Sequence, residues 1–529
     1  MVRTEPTNRA ETRAILVVFV GLMLGNALSS LDGTVVATAL PTIVGDLHGL
    51  TNLSWVVTAY LLFNVATMPL YGKLGDLYGR KRVLLIAIGI FLAGSAMCGA
   101  SATMTQLIVF RAVQGIGAGG LNSLPMAAVA DLVPARDRAR WIGYSGFVFA
   151  FSAVLGPLLG GLFTDHLSWR WAFFINLPLG LVAIAIIVRR YHVPERRTRH
   201  RVDYPGAALI VVAVTCVVLL CDWGGTREPW ESPVIVGLGL CAVALAVVFV
   251  VWERRASEPL MPMRLFGESI PRVCLGLNAL TGMLFYAGIF FVPAFLQFVN
   301  GIRPTDSGLL IIPFMFGAVG GTIVSGRLID RTGRYRIYPI VGGAASIVGM
   351  LLLSRLDQSS STATVSASAV LVGIGAGFVM QVLILAIQNA VPARDMGVAT
   401  AVSMMVRTLG GAVIVPVLGT VFNDRLRTLL PKLTPASAHL DLSTLRASPE
   451  RVRALAPAVR VGVVETFARS LHTVFLVSVP IAVVTFLLAF RLKQIPLREH
   501  PDTPLEPPHT AGEELAFTYE GASVAEGVE

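Results

Sequence analysis

The chain has 529 residues, 54% of them hydrophobic and 14% charged, with a formal net charge of +10. Soluble domains carry roughly 25% charged residues, so this composition excludes an ordinary aqueous globule and calls for lipid as part of the solvent. The positive charge does not mark a nucleic-acid binder, because the bases fall in short bursts between apolar stretches, without interleaved aromatics, as in a multi-pass membrane protein.

Taken in chain order, span-length apolar stretches predict helices at 14–38, 52–71, 82–101, 104–130, 139–162 and 171–189, two more at 204–222 and 233–252, and six at 270–297, 305–327, 337–354, 364–390, 398–422 and 470–490. This is an all-α membrane fold of fourteen transmembrane helices. The first stretch continues as a full span after a polar start with Arg3, Arg9 and Arg13, so no cleavable leader is expected. The five cysteines, Cys98, Cys216, Cys221, Cys241 and Cys274, lie inside apolar stretches and read as small core residues. No metal-ligand spacing and no phosphate-binding loop is present. The chain is therefore expected to be neither an enzyme nor an ATP-driven pump, and to need no metal or cofactor.

Orientation follows from the arginines. With the N-terminus in the cytoplasm, the inner loops hold Lys73, Arg80, Lys81 and Arg82, then Arg136, Arg138 and Arg140, then the run from Arg189 to Arg201, and further clusters beyond. The short outer loops hold only Arg170, Arg227, Arg303 and Arg355. That bias places both termini in the cytoplasm. The expected organisation is a cytoplasmic N-terminus (1–13), a six-helix bundle (14–189), a linker with two inserted helices (190–269), a second six-helix bundle (270–490) with an extracytoplasmic loop at 423–469, and a disordered cytoplasmic tail (491–529). Within that loop, Pro449 to Phe467 could form amphipathic helix.

Two pieces of sequence recur. GKLGDLYGRKR from Gly72 is matched by GRLIDRTGRYR from Gly326, and GIGAG from Gly115 by GIGAG from Gly373, with VPARD following each at Val133 and Val391. Helices 1–6 and 9–14 therefore read as two copies of one unit in the same orientation. Such parallel repeats, related by an axis along the membrane normal, enclose a central cavity and alternate its access by rocking.

Several residues stand out for their place in apolar surroundings. An ionised Asp32 well inside helix 1 costs about 3 kcal/mol or more unless it faces a cavity or partner, and burial would let it take up a proton near neutral pH. Arg111 lies deep in helix 4 with Gln114 on the same face. It cannot usefully deprotonate, but it can hold a carboxylate or carbonyl. Arg407, in helix 13, falls where the first repeat has Phe149 and suits packing or coupling. In the loop between helices 2 and 3, Gly72, Gly75, Asp76, Gly79, Arg80 and Arg82 combine hinges, a carboxylate and bases. Asp131 is a candidate partner for Arg80, and the second copy supplies Asp330 and Arg334. These read as a breakable cytoplasmic latch. Helix 5 carries Gly143, Gly146, Gly156, Pro157, Gly160 and Gly161, which predict close packing, a bend at Gly156-Pro157 and a flat face against the opposite half. The candidate cavity face comprises Asn26, Trp55, Tyr60, Asn64, Gln114, Asn122, Met126, Tyr286, Phe290, Gln297, Gln381 and Gln388, together with Asp32. Such aromatics, methionines and amides repack around varied ligands.

LDGTVVATALPTI (from Leu31), GKLGDLYGRKRV (from Gly72), RAVQGIGAGG (from Arg111), GYSGFVFAFSAVLGPLLGG (from Gly143) and SWRWAFFINLP (from Ser168) together resemble the fourteen-helix drug:proton antiporters of the major facilitator superfamily, the EmrB/QacA-type exporters. The resemblance covers roughly 14–490, and its helix 5 motif is the one that marks exporters. It implies proton-coupled antiport of amphipathic or cationic drugs out of the cytoplasm, coupling roles for Asp32, Arg111 and Arg407, residence in a bacterial inner membrane, and a monomer whose partners are protons, lipid and a small molecule. Some relatives carry a second deep carboxylate, whereas here Asp306 lies at the outer mouth of helix 10. Asp32 alone would then serve both proton and cargo. The alternatives are export of one endogenous metabolite, lipid or peptide, and a transport-inactive receptor or scaffold.

Overall fold

The computed structural model describes residues 9–47, 53–133, 135–191, 203–225, 227–256, 258–302, 310–433, 452 and 455–497. Arg3, most of the loop from Arg189 to Arg201, Asp306, the centre of the 423–469 segment and the expected disordered tail from 498 lie outside these residues.

In lipid, each backbone N–H and C=O has to be satisfied within its own segment, so long apolar stretches wind into helices. Fourteen long helices form among the described residues: α1 (Arg9–Asp46), α2 (Leu53–Tyr78), α3 (Arg80–Gly99), α4 (Met104–Leu132), α5 (Ala135–His166), α6 (Asn176–Arg190), α7 (Tyr204–Trp223), α8 (Pro233–Glu253), α9 (Ser269–Phe298), α10 (Ile312–Thr332), α11 (Ile337–Ser354), α12 (Thr362–Ala390), α13 (Met396–Leu433) and α14 (Pro457–Ala489). Twelve of the spans are long and apolar enough to cross a membrane, and α4 and α5 complete the set. The chain is a multi-pass membrane protein. The polar residues of α4 are turned inward: Arg111, Gln114, Gly115, Gly117, Gly119 and Gly120 are all buried.

Helix boundaries differ from the sequence expectation where polar residues extend a helix past the apolar stretch. The last two helices run well into the 423–469 segment, α13 to Leu433 and α14 from Pro457. Part of the expected amphipathic stretch is thus the first turns of α14, anchored by Phe467, which stacks on Phe298 at 4.6 Å between ring centroids. The sixth span is broken at Ile175, between a single turn at Trp171–Phe174 and α6.

The two repeats pack alike. In the first, α4 lies against α2 and α3; in the second, α12 lies against α10 and α11. A Cβ on Gly115 or Gly119 would strike the carbonyl oxygens of Tyr60 or Asn64, and one on Gly373 or Gly377 those of Phe314 or Ala318. Tyr60 and Phe314, like Asn64 and Ala318, are separated by the same 254 positions as the Gly72 and Gly326 motifs. The same helix contact is therefore built twice. Gly79 and Gly333, also 254 apart, both take positive φ, at 89° and 67°, a conformation that favours glycine.

Between the repeats, α5 packs on α10 and α2 on α13. The α7–α8 hairpin sits outside this seam. α7 touches both α2 and α13, while α8 packs mainly on α7 and leaves Leu240, Val243 and Val247 exposed. Large exposed apolar side chains on an outer helix are what a lipid-facing position requires.

Candidate transport site

The first half of the site is a buried polar cluster inside the N-terminal repeat. Asp32, on α1, and Arg111, on α4, are each 1% exposed. Arg111 Nη1 donates to Asp32 Oδ2 at 2.5 Å and to Gln114 Oε1 at 2.8 Å, and its Nε donates to the Val56 carbonyl at 3.2 Å. The other carboxylate oxygen of Asp32 accepts from Gln114 Nε2 at 2.7 Å and from Asn176 Nδ2 at 3.0 Å. Ser95 accepts from both amides and donates to the Phe173 carbonyl. The break at Ile175 makes this closure possible, because it presents the Phe173 carbonyl and the Asn176 side chain to the same spot. A buried charge pair survives only when its remaining hydrogen-bonding capacity is filled, and here both Asp32 oxygens are occupied.

Tyr60 covers this cluster. The Arg111 guanidinium carbon sits 4.0 Å from the Tyr60 ring centroid, close enough for a cation–π contact. The Tyr60 hydroxyl shares a 2.8 Å hydrogen bond with Ser29 Oγ. Ser29 Oγ accepts from Asn122 Nδ2 at 3.1 Å, and Asn122 donates to Asn64 Oδ1 at 3.1 Å. A continuous polar path thus runs from Asp32 through Arg111, Tyr60, Ser29 and Asn122 to Asn64.

The second half of the site is a cavity of about 260 Å³ between the repeats, into which Tyr60, Asn64 and Asn122 open. From the opposite repeat it is closed by Tyr286, Gln381, Arg407 and methionines including Met315 and Met380. Methionine and aromatic walls adapt to irregular apolar bodies, and the scattered amides supply hydrogen bonds, a common composition for small-molecule pockets.

The third element is a seal at the arginine-rich end. Arg80, 8% exposed, pairs with Asp131 and with Asp76 (3.0 Å), and donates to the Ala127 carbonyl at 2.7 Å. The Asp76 carboxylate also accepts from Gly397 N at 3.0 Å and Val398 N at 2.9 Å, the first turn of α13 in the other repeat. Asp76 therefore caps a helix across the seam. Gly72 permits the approach, since a Cβ there would meet Ala401 at 2.7 Å. Beside it, Arg138 donates to Gln388 Oε1 at 3.4 Å and to the Ala130 carbonyl at 3.0 Å, and Gln388 Nε2 donates to the Met126 carbonyl at 3.2 Å.

Of the residues singled out from sequence, Asn26, Tyr60, Asn64, Asn122, Met126, Tyr286 and Gln381 line the cavity, and so does Arg407. Six others do not. Asp32 and Gln114 lie behind Tyr60, Gln388 belongs to the seal, and Trp55 packs edge-on against Trp223 of α7. Phe290 is exposed, and Gln297 stands one residue before the end of α9. For Asp32, Gln114, Gln388 and Trp55 the reason is rotational, since they sit on helices that border the cavity but on faces turned toward a neighbouring helix, whereas Phe290 faces outward and Gln297 lies too near the helix end. In the second copy of the latch loop, Arg334 is exposed and Asp330 partly buried, and Arg82 of the first copy is also exposed. The helix 5 glycines split between two faces. Gly143 and Gly146 meet Thr322 of α10 across the seam, whereas Gly156 and Gly160 pack on Thr34 and Thr38 of α1, in their own repeat, and Gly161 borders open space. Pro157 falls within the continuous helix α5. Sequence reasoning missed Ser29, Ser95 and Asn176, whose residue types are unremarkable in membrane helices, and the burial of Arg138, which a basic loop position conceals.

The family model described as Major Facilitator Superfamily matches residues 22–415. An uncharacterized MFS-type transporter of Mycobacterium tuberculosis (strain ATCC 25618 / H37Rv) is 39% identical over 485 residues, covering 91% of this chain and 70% of the relative. Multidrug resistance protein 3 of Bacillus subtilis (strain 168) is 35% identical, covering 78% of this chain and 81% of the relative. Among solved structures, the proton:xylose symporter XylE is similar in fold, with a TM-score of 0.58 and 16% identity over 93% of this chain and 98% of that one.

Proposed function

The chain belongs to the major facilitator superfamily, and from that premise we propose that it is a proton-coupled exporter of amphipathic small molecules, working by alternating access. Relatives named multidrug resistance and multidrug transporter proteins, at 35% and 37% identity, support the export of organic molecules. The observation that carries proton coupling is the sealed Asp32–Arg111 pair held behind the Tyr60 wall of the cavity. A carboxylate whose charge is balanced by one guanidinium is a two-state element: protonation removes the balance and leaves Arg111 charged, because arginine does not release its proton. The unpaired cation lies against Tyr60, and through the Tyr60–Ser29–Asn122 path the change reaches the cavity wall.

This geometry favours indirect coupling over direct competition for one carboxylate, since Asp32 does not line the cavity. Cargo loads from the side on which the Asp76 latch opens. The proton enters from the opposite side while the latch is closed and leaves to the cytoplasm once the latch opens. The arginine-rich end is taken as cytoplasmic on the charge bias of the loops, and the protein is taken to act as a monomer in the cell membrane.

The test is transport of a lipophilic fluorescent dye in proteoliposomes under an imposed pH gradient. Asp32→Asn is expected to lose gradient-driven accumulation by about tenfold or more while keeping energy-independent dye counterflow, which shows that the cavity still forms. Undiminished accumulation in Asp32→Asn would remove the pair from the mechanism.

A further inference from the structure

Among the described residues, the three buried arginines each donate side-chain hydrogen bonds to protein acceptors. Arg111 and Arg80 pair with carboxylates, and Arg138 donates to the Ala130 and Val133 carbonyls, with only its Nε left without a partner. Arg407 is half-buried, makes no ion pair or side-chain hydrogen bond among the described residues, and shares the cavity wall with Tyr286. It is also the one charged residue among those lining the cavity. The nearest repeat-derived counterpart is Phe149, which supplies no charge. The cavity therefore carries a net positive charge, and the Asp32 carboxylate that could offset it is committed to Arg111 behind Tyr60.

A guanidinium held in a low-dielectric cavity without a partner is costly, and it attracts an anion more strongly than it would in water. Its planar fork is matched to carboxylate, sulfonate or phosphate oxygens. Gln381, on the same wall, has a buried side-chain carbonyl with no partner, so its amide is free to reorient toward a ligand's polar group. The methionines and Tyr286 offer the complementary apolar surface. We propose that Arg407 binds an anionic group of the cargo, so that the transported class is amphipathic organic acids and zwitterions rather than lipophilic cations. This inference rests on the export reading above and adds the substrate class to it. Arg407 thereby acts in recognition, and the proton is handled by the separate Asp32–Arg111 pair.

The test uses two rhodamine dyes that differ only in a free carboxylate against its methyl ester. Binding to the purified full-length protein is measured by fluorescence anisotropy, and pH-gradient-driven transport is measured in proteoliposomes. The acid should bind the unaltered protein about tenfold tighter than the ester, the scale of one charge-assisted contact. Arg407→Gln should abolish that preference by weakening the acid while leaving the ester within about twofold, and Arg407→Lys should retain part of it. Equal affinity of the unaltered protein for the two dyes, a reading that needs no variant, overturns the proposal. So does a preference that survives Arg407→Gln. If the acid preference holds but neither dye is driven by the gradient, the export reading falls and the anion site stands. If both dyes are driven with no preference in binding, the reverse is true.

Discussion

At the scale of single residues, the site depends on two arginines with opposite surroundings. Arg111 is saturated: a carboxylate, an amide, a carbonyl and an aromatic face account for it. Arg407 is open to the cavity. Their depth in apolar helices was legible from sequence, because a charge among span-length apolar residues needs a reason to be there. Which of them is partnered was not legible, since partnership is decided by the rotation of α1, α4 and α6 about one another. Tyr60 links the two halves of the site and gives a residue-scale prediction. Tyr60→Phe keeps the ring over Arg111 and loses the hydroxyl link to Ser29, whereas Tyr60→Ala also removes a cation–π contact of roughly 2 kcal/mol and opens the pair to cavity water. Gradient-driven dye transport in proteoliposomes should fall several-fold in Tyr60→Phe and about tenfold further in Tyr60→Ala. Equal activity of the two variants would show that the ring is not the link.

At the scale of helices, the glycines of α5 serve two contacts. A Cβ on Gly156 would lie 2.0 Å from Thr34 Oγ1 and 2.5 Å from Thr34 Cβ, so α1 and α5 have to separate to admit it. Thr34 Oγ1 also donates to the Ser152 carbonyl at 3.1 Å, which ties the same two helices one turn away. Overpacking of this kind costs about 1–3 kcal/mol. Gly156→Ala is therefore expected to lower the detergent-solubilised melting temperature by several degrees, whereas Gly161→Ala, with nothing within 4 Å of its Cβ, should leave it unchanged in the same thermal-shift measurement. The glycine run announced a closely packed helix. It did not tell which neighbour each glycine meets, because Gly143 and Gly156 lie on faces that only the packed bundle distinguishes.

At the scale of the whole molecule, the structure holds the two repeats together at the arginine-rich end through Asp76, whose carboxylate reaches two backbone N–H groups of α13. Hydrogen bonds to a charged acceptor contribute about 1.5–3 kcal/mol each, so losing two of them is enough to shift a two-state balance by roughly a hundredfold or more. Asp76→Asn keeps one acceptor oxygen and loses the charge. In a variant with the native cysteines replaced, spin labels at Tyr78 and Arg394, which are both exposed and lie on either side of the seam, should report a longer distance distribution by double electron–electron resonance in Asp76→Asn than in the unaltered protein. An unchanged distribution would mean that Asp76 does not hold this end shut.

The sequence by itself determined the all-helical membrane character of the chain, its fourteen helices and its duplicated six-helix unit. These follow from properties local to the chain: the apolar length needed to cross lipid, the arginine punctuation of its loops, and glycine motifs repeated at nearly constant spacing. It also singled out Asp32, Arg111, Asp76 and Arg80 as charges that apolar surroundings must accommodate. Only the tertiary structure decided that Asp32 is sealed behind Tyr60, that Asp76 caps a helix of the opposite repeat, that Gln388 seals rather than lines, and that Arg407 stands without a carboxylate among the described residues. Each of those outcomes depends on how helices rotate and meet across distances of 79 to 321 residues along the chain, and a one-dimensional hydropathy pattern carries no information about that rotation once every face of a helix is apolar enough for lipid.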